Sequence, residues 1–222
     1  MRCDSATAMS GKPGRAQRAS VTPASQRTLK LRAVDRVISY MMAMTDTRKL
    51  SNIALIGFMG TGKSSAGRLV ADTLHFTFLD TDDVIEARAG KLITEIFAQE
   101  GEPAFRKLES GLVEELTHRR RTVISTGGGL PVKPANLASL KTHALVICLW
   151  ASPEKIFERV GHQPHRPLLH DPDPLAKVRS LLSAREPFYR QADVLVNTEW
   201  RSIKDVAQQI IHQFRLAQSV HR

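Results

Sequence analysis

The chain has only two cysteines in 222 residues, Cys3 and Cys148, too few and too unlike in setting for a disulfide framework or a thiolate metal site. Cys148 lies within an apolar run and reads as a small buried hydrophobe. No apolar stretch approaches the ~20 residues that a membrane-spanning helix needs, so a membrane is not an expected partner and a cytoplasmic setting is. Acids are scarce near the start: residues 1–44 carry eight Lys or Arg against Asp4 and Asp35 alone. With many Ser, Thr, Ala and Gly and no sustained apolar period, that stretch cannot bury enough surface to order itself. Residues 45–222 carry 24 basic and 20 acidic side chains, so of the net charge of +10 the tail holds +6 and the body +4. The basic balance is mostly a property of the tail and gives little reason to expect nucleic acid as a partner of the body. Residues 1–48 are therefore set apart as a basic extension and residues 49–222 as one domain. Three readings of the extension stay open: an organellar transit peptide, a disordered basic arm, or a start at Met41, Met42 or Met44 that makes it inert, the last being the expectation.

What is present is more pointed. Gly57 to Ser64, GFMGTGKS, fits G-x-x-x-x-G-K-[ST] throughout. A tight glycine-rich loop turns backbone N–H groups inward around a phosphate, and a side chain at Gly57, Gly60 or Gly62 would obstruct the turn or the approach. The helix that follows adds the positive end of its dipole. Lys63 reaches the outer phosphates as a point charge, and the Ser64 hydroxyl takes a place on a magnesium ion. The flanks agree, because Asn52–Ile56 is a short apolar run of buried-strand type and Ser65–Leu74 has helical apolar spacing. A nucleoside triphosphate is the expected ligand.

Further along, Phe76–Leu79 reads as a second strand, with Thr81 as the N-cap of the next helix. Helical spacing returns in Ile93–Phe97 and again from Phe105 to Leu116. A third strand, Thr122–Ser125, runs into Gly127, Gly128 and Gly129; His143–Trp150 is a long fourth; Pro153 opens a helix. Val194–Asn197 is a last short strand before a helix from Ile203 to about Leu216. The alternation predicts an α/β fold of three layers, with a central parallel sheet of about five strands covered on both faces. Ligands of such sheets bind at the carboxyl ends of the strands. The P-loop, Asp80 with Asp82, and the triple glycine all fall at those ends. Between about 159 and 174, Pro164, Pro167, Pro172 and Pro174 interrupt any regular element, which predicts a lid over a triphosphate site.

These segments together resemble the shikimate kinase family from about Asn52 onward. The resemblance rests on GFMGTGKS at Gly57, LDTD at Leu79, AFRKLE at Ala104, STGGG ending at Gly129, and RPLL at Arg166 followed by REPFY at Arg185. It implies a P-loop kinase that moves the γ-phosphoryl group of ATP to the 3-hydroxyl of shikimate, with Mg2+, and acts as a monomer. It assigns Asp82, Arg106, Gly128 and Arg185 to shikimate, whose carboxylate two arginines can grip while an acid holds hydroxyls. Gly60, Thr61, Gly62, Lys63, Ser64, Ser65, Arg159 and Arg166 fall to ATP, with Arg159 near the adenine end. Ser64 and, through water, Asp80 fall to the metal. Lys63, Asp82 and Arg166 carry the catalytic roles: Asp82 orients the accepting hydroxyl, Arg166 closes over the phosphates, and Lys63 neutralises charge from the opposite side. Whether the hydroxyl proton goes to Asp82, to phosphate or to water stays open.

Glu109, three residues after Arg106, is either its helical partner or a solvated acid. Two departures from the family stand out: GHQPHR between Gly161 and Arg166, and NTEWRS at Asn197, where Arg201 receives no role. Two rivals remain at this stage, a P-loop kinase of another polyol acid such as gluconate, and a nucleotide-dependent regulatory or nucleic-acid-binding module. The set Asp82, Arg106 and Arg185 speaks against the first, and two acids beside a P-loop lysine speak against the second.

Overall fold

A computed structural model of the chain describes residues 48–160 and 172–219, all within the larger of the two units into which the chain divides, Ile38–Arg222. The basic extension and the stretch 161–171, including Arg166, lie outside the described residues. Five strands form one parallel sheet: β1 (Asn52–Ile56), β2 (Thr77–Asp80), β3 (Thr122–Ser125), β4 (Ala144–Trp150) and β5 (Val194–Asn197). Their order is β2-β3-β1-β4-β5. The P-loop strand is thus central, between β3 and β4, with Ile53 opposite Val123 on one side and Leu145 on the other.

Eight α-helices belong to the described residues: α1 (Lys63–Leu74), α2 (Thr81–Ala89), α3 (Ile93–Gln99), α4 (Gly101–Leu116), α5 (Pro134–His143), α6 (Pro153–Val160), α7 (Pro174–Tyr189) and α8 (Ile203–Ser219). The strand period of two divides β1 between the faces. Ile53 and Leu55 pack with Ala66 and Val70 of α1 and with Val206, Ile210 and Phe214 of α8. Ala54 and Ile56 pack instead with Leu112 and Leu116 of α4, Leu140 of α5, Ile156 of α6 and Leu182 of α7. A strand buried on both faces is why residues 52–56 read as an unbroken apolar run. Burying each large aliphatic side chain there contributes roughly 1.5–3 kcal/mol. The three-layer α/β architecture expected from the sequence is the one found.

Several boundaries differ, each for a physical reason. Helix α1 begins at Lys63, with Gly62 as a left-handed N-cap at φ 91°, so the P-loop runs into the helix two residues early. Strand β2 is displaced by one and ends on Asp80. Asp80, not Thr81, caps α2, its carboxylate accepting from the Asp82 N–H at 3.1 Å. Thr81 is buried, and its hydroxyl accepts from the Gly127 N–H at 2.9 Å instead. His143 ends α5 rather than opening β4. Arg159 and Val160 close α6, and Asp173 caps α7 with its side chain on the Ala176 N–H; the ends of the expected lid, 159–174, are thus helical.

Asn52 at the start of β1 is a buried polar residue in a run read as apolar. Its amide donates to the Arg119 carbonyl at 2.8 Å and meets His143 Nδ1 at 2.9 Å, while its oxygen accepts from the Thr122 N–H at 3.0 Å. One side chain thereby ties β1 to the start of β3, to the turn before it and to the end of α5, at the end of the sheet remote from the cleft.

Candidate active site

At the carboxyl ends of β1, β2 and β3 lies a cleft of about 840 Å3. Its floor is the P-loop. Gly57 and Gly60 have φ of 133° and 73°, values that only glycine adopts without strain. A Cβ on Gly57 would also overlap the Leu149 carbonyl oxygen, and one on Gly60 would come within 2.6 Å of Val160. Lys63 Nζ donates to the carbonyls of Gly57 and Phe58, both at 2.9 Å. The Thr61 hydroxyl donates to the Phe58 carbonyl at 2.8 Å from a buried side chain, so it staples the loop while the other expected ATP residues, Gly60, Gly62, Lys63, Ser64 and Ser65, line the cleft.

Ser64 Oγ donates to Asp80 Oδ2 at 2.8 Å and lies 3.3 Å from Ser125 Oγ. Hydroxyl and carboxylate together are a sparse, hard oxygen set, the kind that suits a cation which keeps most of its waters. On the donor side, Arg159 reaches from α6 to the turn after β5: Nη2 donates to the Thr198 carbonyl at 2.6 Å and Nη1 to the Gly60 carbonyl at 3.3 Å. It therefore joins the P-loop to that turn, and Arg201, Ser202 and Ile203 complete the wall.

The other half of the cleft holds Asp82, Arg106, Gly128 and Arg185, four residues spread over more than a hundred positions. Asp82 Oδ1 is buried with no hydrogen-bond partner among the described residues. Burial first, then the charges of Asp80 and Glu109, push its carboxyl up to about 6, against the pull of Lys63. Arg106 on α4 is held from two sides, by Glu102 on Nε and Nη2 at 3.0 and 2.7 Å and by Glu109 on Nη1 at 2.6 Å. Two of the five guanidinium N–H groups remain to face a ligand. Glu109 is the helical partner, not a solvated acid, since its side chain is 1% exposed. Burial raises its carboxyl, while the hydrogen bond and charge of Arg106 lower it. A Cβ on Gly129 would lie 2.5 Å from the Arg106 guanidinium, so the triple glycine is what lets that arginine cross the turn. Arg185 on α7 rests over the Phe58 ring, 5.5 Å from its centroid.

An anion-binding loop with a metal-type oxygen pair thus faces, across one cleft, two arginines and a buried carboxylate. The family model for shikimate kinase matches residues 59–215. The chain belongs to the shikimate kinase family. A shikimate kinase from Caldanaerobacter subterraneus subsp. tengcongensis is 43% identical over 165 residues, which are 74% of this chain and 96% of that one. A shikimate kinase from Acinetobacter baumannii, solved in complex with shikimate, superposes with a TM-score of 0.71 at 39% identity, covering 76% of this chain and 94% of the other. A gluconokinase from Sinorhizobium meliloti shares the fold, at a TM-score of 0.52 and 17% identity. As a member of the shikimate kinase family the protein is an enzyme, an ATP-dependent phosphotransferase.

Of the expected site residues, the structure brings all but two to the cleft. Arg166 lies outside the described residues, and the Thr61 side chain turns into its own loop. Sequence reasoning missed Thr81 as the anchor of Gly127, Phe58 as the platform of Arg185, and Tyr189, whose hydroxyl donates to the Gly128 carbonyl at 2.6 Å. Arg185 and Tyr189 are four apart and so share a helical face, which was the available signal for Tyr189. Among the described residues no helix is long and apolar enough to cross a membrane.

Proposed function

We propose that the protein transfers the γ-phosphoryl group of ATP to the 3-hydroxyl of shikimate, giving shikimate 3-phosphate and ADP. The observation that carries this reading is the convergence of Asp82, Arg106, Gly128 and Arg185 opposite the P-loop in one cleft. Arg106 and Arg185 hold the ring carboxylate through charge-assisted hydrogen bonds. Asp82 orients the 3-hydroxyl and, with a carboxyl raised to about 6, accepts its proton as the new P–O bond forms and the bond to ADP breaks. The transferring group passes through a loose transition state, so positioning and charge neutralisation supply most of the rate. Lys63 supplies that charge from the floor, where it exchanges its carbonyl partners for phosphate oxygens. Family resemblance gives Arg166 the same task from above.

Mg2+ fits the donor set: Ser64 is a direct ligand in this reading, and Asp80 acts through water. Held there, it would neutralise charge on the outer phosphates. Arg159 and the turn it holds frame the nucleotide base. Family resemblance gives a monomer as the acting species.

Measuring ADP release by purified protein with MgATP, in the presence of shikimate or of gluconate, tests the assignment. Release that depends on shikimate is expected. Bound ATP with no shikimate-dependent release would refute the acceptor assignment, and release with gluconate instead would transfer the site to that substrate.

A further inference from the structure

The middle glycine of the triple-glycine turn has its backbone carbonyl satisfied in an unusual way. In that turn the Gly127 carbonyl accepts from the Leu130 N–H at 3.2 Å and the Gly129 carbonyl from the Val132 N–H at 3.1 Å. The Gly128 carbonyl between them accepts from a side chain, the Tyr189 hydroxyl, at 2.6 Å. Tyr189 is 1% exposed and lies in the last turn of α7, four residues after Arg185, so α7 presents both to the turn. Gly128 is equally well placed to transmit position. A Cβ built on it would stand 3.5 Å from Arg185 Nη1, 3.5 Å from the Gly57 carbonyl and 3.6 Å from the Met59 N. A side chain at that position would therefore stand between the acceptor arginine and the phosphate loop.

A trans peptide is planar, so fixing the Gly128 carbonyl also fixes the Gly129 N–H in the opposite direction, away from α7. Glycine imposes no preference of its own on φ and ψ. Tyr189 adds to the holds on Gly127 and Gly129 and orients the one peptide of the turn whose carbonyl they leave out, next to Arg106, which packs against Gly129. Burial pushes the phenol up to about 12, so the hydroxyl stays protonated and keeps donating across the working pH range.

We propose that Tyr189 is a positioning residue of the acceptor half-site: by holding the Gly128 carbonyl from the turn of α7 that follows Arg185, it sets the spacing between the triple glycine and both acceptor arginines. The inference rests on the assignment of Asp82, Arg106, Gly128 and Arg185 to shikimate. Tyr189 does not touch substrate; it acts through Gly128 and Arg185.

The test is Tyr189→Phe in the full chain, which removes one oxygen and keeps the ring. The KM for shikimate should rise about 5–10-fold, in keeping with the loss of one buried hydrogen bond, while the KM for MgATP and the ADP release without shikimate change less than about twofold. In combination with Arg185→Lys, the rise in shikimate KM should be smaller than the product of the two separate rises, because both act on the same seat. An unchanged shikimate KM, an equal rise in the KM for MgATP, or full multiplication in the double variant would each overturn the proposal.

A measurement that keeps the Tyr189 hydroxyl guards against poor folding of the variant. The chain has two tyrosines, Tyr40 and Tyr189, so 3-fluorotyrosine incorporated into Tyr40→Phe protein gives one fluorine resonance. Shikimate alone should shift it and MgADP alone should not; a resonance indifferent to shikimate would overturn the proposal. A wild type that binds ATP but does not phosphorylate shikimate would refute the acceptor assignment itself, a result distinct from a normal wild type beside an unaffected Tyr189→Phe.

Discussion

Truncating Arg106 to alanine should produce two separable losses, one in stability and one in substrate affinity. The guanidinium is 27% exposed, but the Glu109 carboxylate it pairs with is 1% exposed, so truncation leaves a buried charge behind. Breaking a buried pair in this way costs roughly 3–5 kcal/mol. The partial exposure of Arg106 lets water into the vacated space, which places the expected loss at about 2–3 kcal/mol, or roughly 5–10 °C in Tm. The sign of the pH dependence follows from Glu109. Burial already raises its carboxyl, and the opposing hydrogen bond and charge of Arg106 are what hold it down. Without Arg106 the folded-state value climbs further above the unfolded one, and between those two values the folded chain binds more protons. The stability deficit should therefore be greatest at neutral pH and shrink as pH falls through the folded-state value toward the unfolded one. Adding Glu109→Gln should restore most of the stability at pH 7 without restoring affinity. Shikimate KM should rise roughly 10–100-fold in both variants, the loss of charge-assisted hydrogen bonds worth about 1.5–3 kcal/mol, with the KM for ATP unchanged. Urea unfolding at pH 5 and 7 beside steady-state kinetics reads both effects. A variant as stable as wild type, or one whose deficit does not change with pH, would refute the buried-charge reasoning; an unchanged shikimate KM would move the carboxylate subsite elsewhere.

Three further outcomes are expected. Lys63→Ala should reduce kcat at least 100-fold by removing a charge that strengthens in the transition state, while shikimate binding measured by calorimetry survives; full activity would overturn the donor-loop assignment. The acid limb of kcat/KM should fall near the raised Asp82 value of about 6, because the base must be ionised; Asp82→Asn should abolish turnover yet unfold later at pH 7, by up to about 3 kcal/mol, since the folded chain no longer carries a carboxylate that burial disfavours. A destabilised Asp82→Asn would contradict that accounting. Asn52→Leu should cost about 2–4 kcal/mol in urea unfolding by stranding the Thr122 N–H and the Arg119 carbonyl, with the KM values of the folded enzyme unchanged; a neutral effect would mean those groups find other partners.

The donor half of the cleft was legible because its chemistry is local. Glycine spacing, Lys63 and Ser64 occupy eight consecutive positions, and the flanking strand and helix have clear periods. The acceptor half is not local: Asp82, Arg106 and Arg185 come from three helices, and only the motif resemblance joined them in the sequence. What pattern reading missed, it missed for identifiable reasons. Helix α7 begins at Pro174, which read as the end of the irregular segment, and carries Pro187 near its own end, so no helix was read there. Helix α5 buries only Asn136, Leu137, Leu140 and His143, a stripe too narrow and too polar to stand out. Thr81 and Asp80 are both good caps, and the choice between them depends on Gly127, far away in sequence. Asn52 sits in an apolar strand because its partners, Arg119, Thr122 and His143, lie far away in sequence, which no local period reports. The Glu109 pairing was undecided for the same reason: spacing allows it, but burial decides it.

The hold that Lys63 has on the carbonyls of Gly57 and Phe58 bears on how the enzyme meets its nucleotide. The loop is not waiting for a phosphate to give it shape, because its own cation already braces the turn from within. ATP therefore meets a loop already shaped, in which the ammonium group gives up carbonyl oxygens for phosphate oxygens. Ordering of this loop belongs to folding rather than to each catalytic cycle. Nucleotide capture becomes an exchange of partners at Lys63.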